Sequence, residues 1–285
     1  MISIDFIAGS HGHFLELVCN KFLAKIDINF EPFNELGAAH NSSKDYTAKK
    51  LFFAGHYSEL AAKLHKKIIQ ISFTTNDILP LMSVSMLRAG DLNIDNDNLE
   101  FNTYHKLNNR YYSNLLNNIR SAYPDITITP ENPDCPRYIL REFFKFSFRD
   151  PENNGLYQKQ KLMSYDSFHD VIEFKFENFY NLNNFILNLE KIAAWYGTDL
   201  CSISDIATFW EKFYSKQIYK NAKKTCDNII EAVKSGKHVA IENLNLFQES
   251  YINGVLEKIY KKEMPFVQPF YFTNTKEIIS YINTN

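Results

Sequence analysis

The sequence contains few of the residues and patterns that mark several large classes of protein. Its 285 residues include four cysteines, Cys19, Cys135, Cys201 and Cys226, and none has the CxxC spacing of a zinc or redox site. Basic residues number 31 and acidic residues 33, so no basic excess drives sequence-independent nucleic-acid binding. No stretch approaches about 18 uninterrupted apolar residues, and no basic run precedes an apolar stretch near residue 1. We therefore expect free thiols, no nucleic-acid partner, no membrane span and a cytoplasmic location.

The chain nevertheless has enough apolar material for a large core. Apolar residues make up 45% of it and aromatic residues 15%, with 24 Phe and 17 Tyr. This composition excludes global disorder and fibrous repeats. Because no linker or repeat stands out, the sequence predicts a single domain over residues 1–285.

Short apolar strands alternate with helical patterns along the chain. The predicted strands are Ser3–Ala8, Leu51–Ala54, Lys67–Phe73 and Val171–Phe176. Between and after them, apolar residues recur at the three- and four-residue steps of buried helix faces. This alternation predicts an α/β fold with a central parallel sheet flanked by helices. A helical insert is expected over residues 100–165, and a mostly helical C-terminal part over residues 200–285.

A glycine-containing turn, Gly9-Ser10-His11-Gly12-His13, joins the first predicted strand to its helix. Backbone N–H groups in such turns point towards one place and bind phosphate or sulfate. The turn lacks the lysine and hydroxyl of the GxxxxGK(S/T) motif, which disfavours an ATP-driven kinase or NTPase. An ordinary tight turn without a ligand is the alternative explanation.

Three further short segments follow this turn in a definite order. The second strand runs into Gly55-His56, the third opens with Lys67-Ile68-Ile69, and the fourth leads into Phe176-Glu177-Asn178-Phe179. This arrangement resembles the sulfotransferase superfamily over roughly residues 3–90 and 170–197. In that family a P-K-S-G-T-T loop binds the donor, a strand ends in T-H, a K-I-I-Y strand follows, and a Y-E-D-L segment comes later.

The resemblance implies a P-loop-NTPase-like sulfotransferase architecture and a nucleotide donor, 3′-phosphoadenylyl sulfate. It places the general base at His56, for which a hydrogen-bonded turn histidine is the alternative. It places the donor, with no metal, against a set of residues comprising Gly9, Ser10, His11, Gly12, His13, Phe14, Thr75 and Ser83. Arg88, at the end of the helix that begins beside this site, is a further candidate for a phosphate contact, and a helix cap or a surface ion pair is its alternative explanation. Two departures stand out, since Ser10 occupies the usual lysine position and the arginine of the family's 3′-phosphate segment is missing near Thr75. His11 and His13 would then supply donors or positive charge in place of the lysine.

The basic residues of a later aromatic helix are candidates for the acceptor site. Arg141 and Lys145 punctuate this segment and would bind an acidic acceptor, or Arg141 would replace the missing arginine. Asp95, Asp97 and Glu100 lack the spacing and glycine of a calcium loop and are read as a solvated loop.

The expected activity is transfer of a sulfuryl group to a hydroxyl acceptor, a small molecule or a glycan. Two alternatives stay open. One is a P-loop-fold phosphotransferase or glycosyltransferase that uses another nucleotide, and the other is a non-catalytic relative that acts as a partner-binding scaffold.

Overall fold

The structure is a computed structural model, and its described residues fall into two compact units. Unit 1 comprises Met1–Ala89 and Pro151–Gln217, and unit 2 comprises Gly90–Asp150 and Ile218–Asn285. The described residues are 1–6, 10–28, 50–56, 65–72, 94–95, 98–99, 113–127, 129, 135–148, 165, 168–200, 202–215, 219–264 and 272–284. The single domain stays a prediction, because two compact units can belong to one folding domain.

The described strands form one parallel sheet and one small antiparallel pair. They are β1 Ile2–Phe6, β2 Phe52–His56, β3 Lys67–Ser72, β4 Ile94–Asp95, β5 Asn98–Leu99 and β6 Asp170–Lys175. In unit 1 the order across the sheet is β2-β1-β3-β6, and every pairing is parallel. In unit 2, β4 and β5 pair antiparallel, so Asp95 lies in a short strand and not in the loop that the sequence suggests. Asp97 and Glu100 lie outside the described residues.

The described helices divide between the two units. They are α1 Gly12–Val18, α2 Ser113–Ala122, α3 Cys135–Phe148, α4 Leu182–Tyr196, α5 Ile203–Ser215, α6 Tyr219–Lys234, α7 Leu246–Tyr260 and α8 Thr275–Thr284. A π-helical segment, Cys19–Leu23, continues α1, and a 3₁₀ segment, Phe176–Tyr180, follows β6. Gly197 ends α4 in the left-handed conformation at φ 88°, which glycine adopts readily after a helix.

The core of unit 1 lies between the sheet and its helices. All five residues of β1 are buried, as expected of a central strand covered on both faces. Asn20, itself buried, fastens the helical segment to the outer edge of β2. Its amide nitrogen donates to the carbonyl oxygens of Glu16 and Phe52, and its amide oxygen accepts from the N–H groups of Leu51 and Phe52. These contacts satisfy backbone groups that an edge strand would otherwise leave unpaired.

Unit 2 is held together by helix packing and buried ion pairs. Helix α7 packs against α3 and α6, and α8 packs against α6. Asn245 begins α7 with a reciprocal capping box to Gln248. The guanidinium of Arg137 on α3 donates to the buried carboxylate of Glu249 on α7. Five described helices, α2, α3, α6, α7 and α8, lie in this unit; the predicted helical insert over residues 100–165 and the mostly helical part over residues 200–285 stay predictions.

The parallel sheet with its helices confirms the α/β fold class in general terms. Among the described residues, no helix combines the length and apolar character that crossing a membrane would require. Cys19 and Cys226 are buried free thiols, as expected.

Candidate functional site

The strand order of unit 1 defines where a ligand would bind. From β1 the chain goes to β2 on one side of β1 and then to β3 on the other side. Such a reversal opens a crevice at the carboxyl ends of the two strands that flank it, here β1 and β3. The turn that contains Ser10, His11, Gly12 and His13 follows the carboxyl end of β1, so it borders this position.

His11 adopts a conformation that is uncommon for residues other than glycine. Its φ of 61° and ψ of 23° lie in the left-handed region, and its carbonyl oxygen accepts a hydrogen bond from the N–H of Leu15 at 3.1 Å. Ser10 beside it is fully buried. Left-handed backbone at such a residue persists only where the surrounding contacts enforce it.

Aromatic rings supply those contacts around His11. The imidazole stacks on Phe176 at 5.3 Å between centroids and meets the edges of Phe179 and Phe213 at 5.4 and 4.9 Å. Its Nε2 shares a 2.7 Å hydrogen bond with the hydroxyl of Tyr180. Burial lowers the pKa of His11 from 6.5 to about 3, because the charged ring would lose its hydration. His11 is therefore uncharged near neutral pH and would not replace a lysine as a cation.

Gly12 packs so closely against β1 that a larger residue does not fit at this position. A Cβ at this position would lie 2.2 Å from Cδ1 and Cγ of Phe6, far inside van der Waals contact. The backbone of Gly12 is not left-handed. The side chain of Phe6 therefore explains the glycine, and a phosphate would meet only the backbone N–H groups of the turn.

His13 stands in a line with two charged residues that the sequence analysis did not identify. Its Nδ1 lies 3.3 Å from Oε2 of Glu16, whose Oε1 lies 2.7 Å from Nζ of Lys50. Glu16 and Lys50 are buried. A glutamate within an apolar helix pattern was the available signal, but its partner stands 34 positions along the chain.

His56 reaches the same edge of the sheet as the turn. It is the last residue of β2 and is paired with Phe6, the last residue of β1. The ring of Phe6 contacts Gly12 and meets the ring of His13 edge-on at 5.2 Å. The fold thus brings His56 and the turn to one edge of the sheet.

Phe14 belongs to the core of unit 1. Its ring is 1% exposed and stacks on Phe213 at 4.0 Å. A contact between this side chain and a cofactor is therefore not supported. Four other expected donor residues lie outside the described residues: Gly9, Thr75, Ser83 and Arg88.

The two expected acceptor residues lie in unit 2. Arg141 is buried, and its guanidinium donates to Glu257 at 2.7 Å and to the carbonyl oxygen of Met264 at 2.7 Å, with Glu263 at 3.3 Å. These bonds join α3 to α7 and to the segment that follows it. They give Arg141 a structural role, and its substrate contact stays a prediction. Lys145 lies in α3, but its side chain is not among those described.

The opposite face of the sheet carries a polar pair that the sequence analysis also missed. Asp5 in β1 is buried and accepts a hydrogen bond from the hydroxyl of Tyr165. Burial, with that bond as a second cause, raises the pKa of Tyr165 and keeps it a neutral donor. Two residues earlier in β1, the hydroxyl of Ser3 shares a 2.6 Å hydrogen bond with Nδ1 of His65.

Within the described parts of the chain, no group of three or more His, Cys, Asp or Glu side chains could hold a metal ion. Comparison with known proteins finds no matching family model, no matching curated protein and no matching solved structure.

Proposed function

We propose that unit 1 is a sulfotransferase-like catalytic unit that transfers a sulfuryl group from 3′-phosphoadenylyl sulfate to a hydroxyl acceptor, with a small molecule or a glycan as the acceptor class. The donor lies at the carboxyl edge of β1 and β3. His56 accepts the proton of the acceptor hydroxyl.

One observation carries the proposal. The pairing of Phe6 with His56 and the packing of Phe6 on Gly12 bring residue 56 and the turn to the same edge of a parallel sheet, beside its topological switch point. Parallel sheets of this kind bind ligands at such an edge. An imidazole titrates near neutral pH and is suited to take a proton there.

The reaction depends mainly on how the protein positions the donor, the acceptor and the base. The acceptor oxygen forms a bond to sulfur, while the bond from sulfur to the phosphate oxygen breaks and its electron pair leaves with 3′-phosphoadenosine 5′-phosphate. His56 takes the acceptor proton, so no charge is left on the attacking oxygen. Fixed hydrogen-bond donors near the sulfuryl and phosphate oxygens stabilise the negative charge of the transition state.

Titration calorimetry with 3′-phosphoadenosine 5′-phosphate tests the donor site. We expect saturable binding to the folded protein, accompanied by a rise in the thermal midpoint because the ligand binds only the folded state. A correctly folded protein that does not bind this ligand contradicts the proposal. A thermal-shift screen of nucleoside di- and triphosphates and sugar nucleotides would then identify another nucleotide-dependent transferase, and a blank screen would favour the scaffold alternative.

His56→Ala tests the base. We expect turnover with a hydroxyl acceptor to fall by about 10²–10⁴-fold while nucleotide affinity is unchanged, because only proton transfer is removed. His238→Ala is the matched control, since this histidine is exposed and belongs to unit 2. Equal turnover in the two variants would exclude His56 as the base.

A further inference from the structure

Helices α3 and α7 of unit 2 meet through a buried polar layer. Arg137 on α3 donates from Nη1 to Oε2 of Glu249 on α7. Asn253 follows Glu249 by four residues, so the two side chains lie on the same face of α7. Arg137 is 7% exposed, and Glu249 and Asn253 are each 3% exposed. Bulk solvent therefore has almost no access to these three side chains.

Two polar atoms of this layer need a further partner. Nε of Arg137 and Oδ1 of Asn253 are buried and form no hydrogen bond with any residue that the structure describes. The ion pair with Glu249 does not satisfy Nε of Arg137, because it uses Nη1. A buried donor or acceptor without a partner is destabilising, and such groups in folded proteins are usually paired with protein or with ordered water. The layer therefore calls for a ligand that satisfies both atoms.

The chemistry of the two atoms selects this ligand. Nε of a guanidinium only donates hydrogen bonds, whereas the oxygen of a side-chain amide only accepts them. An anion would satisfy Arg137 alone, and a cation would satisfy Asn253 alone. Either ion would also add a charge to a layer in which Arg137 and Glu249 already neutralise each other, and a buried charge without a partner is costly. A water molecule accepts and donates at once, so one molecule suits both atoms.

We propose that an ordered water molecule lies in the interface between α3 and α7, accepts a hydrogen bond from Nε of Arg137 and donates one to Oδ1 of Asn253. The water joins the two helices in addition to the ion pair between Arg137 and Glu249. This site is independent of the proposed function, because both helices belong to unit 2 and the proposed donor site belongs to unit 1.

Oxygen-17 relaxation dispersion counts the long-lived internal waters of the protein in solution. Asn253→Leu removes the acceptor and places an apolar side chain there, while the ion pair between Arg137 and Glu249 is retained. We expect this variant to have one long-lived water fewer than the wild type. Asn228→Leu, at an exposed position of α6, is the matched control and should keep the wild-type number. Equal numbers in the wild type and in Asn253→Leu overturn the proposal.

A measurement on the wild type covers the case in which Asn253→Leu does not fold. Rotating-frame Overhauser spectra separate a direct contact with water from proton exchange, because the two give cross-peaks of opposite sign. We expect a direct contact between a bound water and the Nε–H of Arg137. A wild-type spectrum without this contact overturns the proposal.

Native mass spectrometry distinguishes water from a hydroxyl group of a larger bound molecule, which has the same hydrogen-bonding chemistry. We expect the desolvated folded protein to have the mass of the polypeptide alone. A non-covalent adduct that is lost on denaturation, and that is missing from Asn253→Leu, would overturn the assignment of water and identify an organic ligand instead.

Discussion

Substitution of Gly12 by alanine separates a packing role for this glycine from a ligand-binding role. The new Cβ would lie 2.2 Å from two ring atoms of Phe6 and 2.5 Å from a third, whereas ordinary van der Waals contact begins at 3.4 Å. The ring of Phe6 is 3% exposed and would have to move by more than an ångström within a packed core. Overpacking of this kind costs about 1–3 kcal/mol, so we expect Gly12→Ala to lower the free energy of unfolding of unit 1 by that amount.

Urea unfolding followed by intrinsic tryptophan fluorescence measures the free energy of unfolding of unit 1. The two tryptophans of the chain, Trp195 and Trp210, both belong to unit 1. The matched comparison is Gly12→Ala in a Phe6→Leu background, where the clashing ring atoms are gone. We expect the two substitutions to be non-additive, with a favourable coupling of about 1 kcal/mol or more.

Two results would refute this reasoning. One is a Gly12→Ala variant within about 0.5 kcal/mol of the wild type, the range usual for an unstrained site. The other is strict additivity with Phe6→Leu. Ligand binding is a separate test of the role of Gly12. A stable double variant that binds 3′-phosphoadenosine 5′-phosphate as tightly as Phe6→Leu shows that the glycine is needed only for packing against Phe6. A stable double variant without binding shows that the ligand also needs the glycine.

Three further substitutions test other parts of the structure. Burial lowers the pKa of His11 from 6.5 to about 3, so neutral His11 contributes fully to stability above pH 6.5 and loses this contribution as the pH falls towards 3, by about 2 kcal/mol at pH 5. His11→Asn, which tolerates left-handed backbone, should reduce this pH dependence of the free energy of unfolding, measured by tryptophan fluorescence. An unchanged pH dependence would contradict the prediction. Arg137→Met leaves the carboxylate of Glu249 buried without its partner and should cost unit 2 about 3–5 kcal/mol by circular dichroism. Because burial already raises the pKa of Glu249, protonation in acid should shrink that loss, and a loss independent of pH would count against the ion pair. Asn20→Ala unpairs buried backbone groups and should cost about 2–4 kcal/mol, whereas Asn188→Ala, at an exposed site, should cost under about 0.5 kcal/mol.

Most of the described fold follows from patterns within short stretches of sequence. The β-branched run at Lys67–Ser72 and the apolar run of β1 predict buried strands, and Gly197 marks a helix end because it supplies the left-handed conformation. The π-helical segment after α1 was not predicted, since its side-chain spacing is close to that of the α-helix it continues.

The candidate site was predictable only in its outline. The turn and His56 could be found from the sequence, because each stands at the end of an apolar strand and parallel strands align their carboxyl ends. The Glu16–Lys50 pair could not, because the glutamate within the apolar helix pattern gives no sign of its partner, which stands 34 positions along the chain. The aromatic surroundings that keep His11 neutral come from residues more than 160 positions along the chain.

The sequence by itself determined the alternation of strands and helices, since that depends on the spacing of apolar residues and on glycine at turns. It also determined which histidines stand at strand ends. The tertiary structure alone decided which of them is neutral, which stands beside a buried carboxylate, and why residue 12 is glycine. Burial and charge are properties of a side chain's neighbours in space, and those neighbours are distant in the chain.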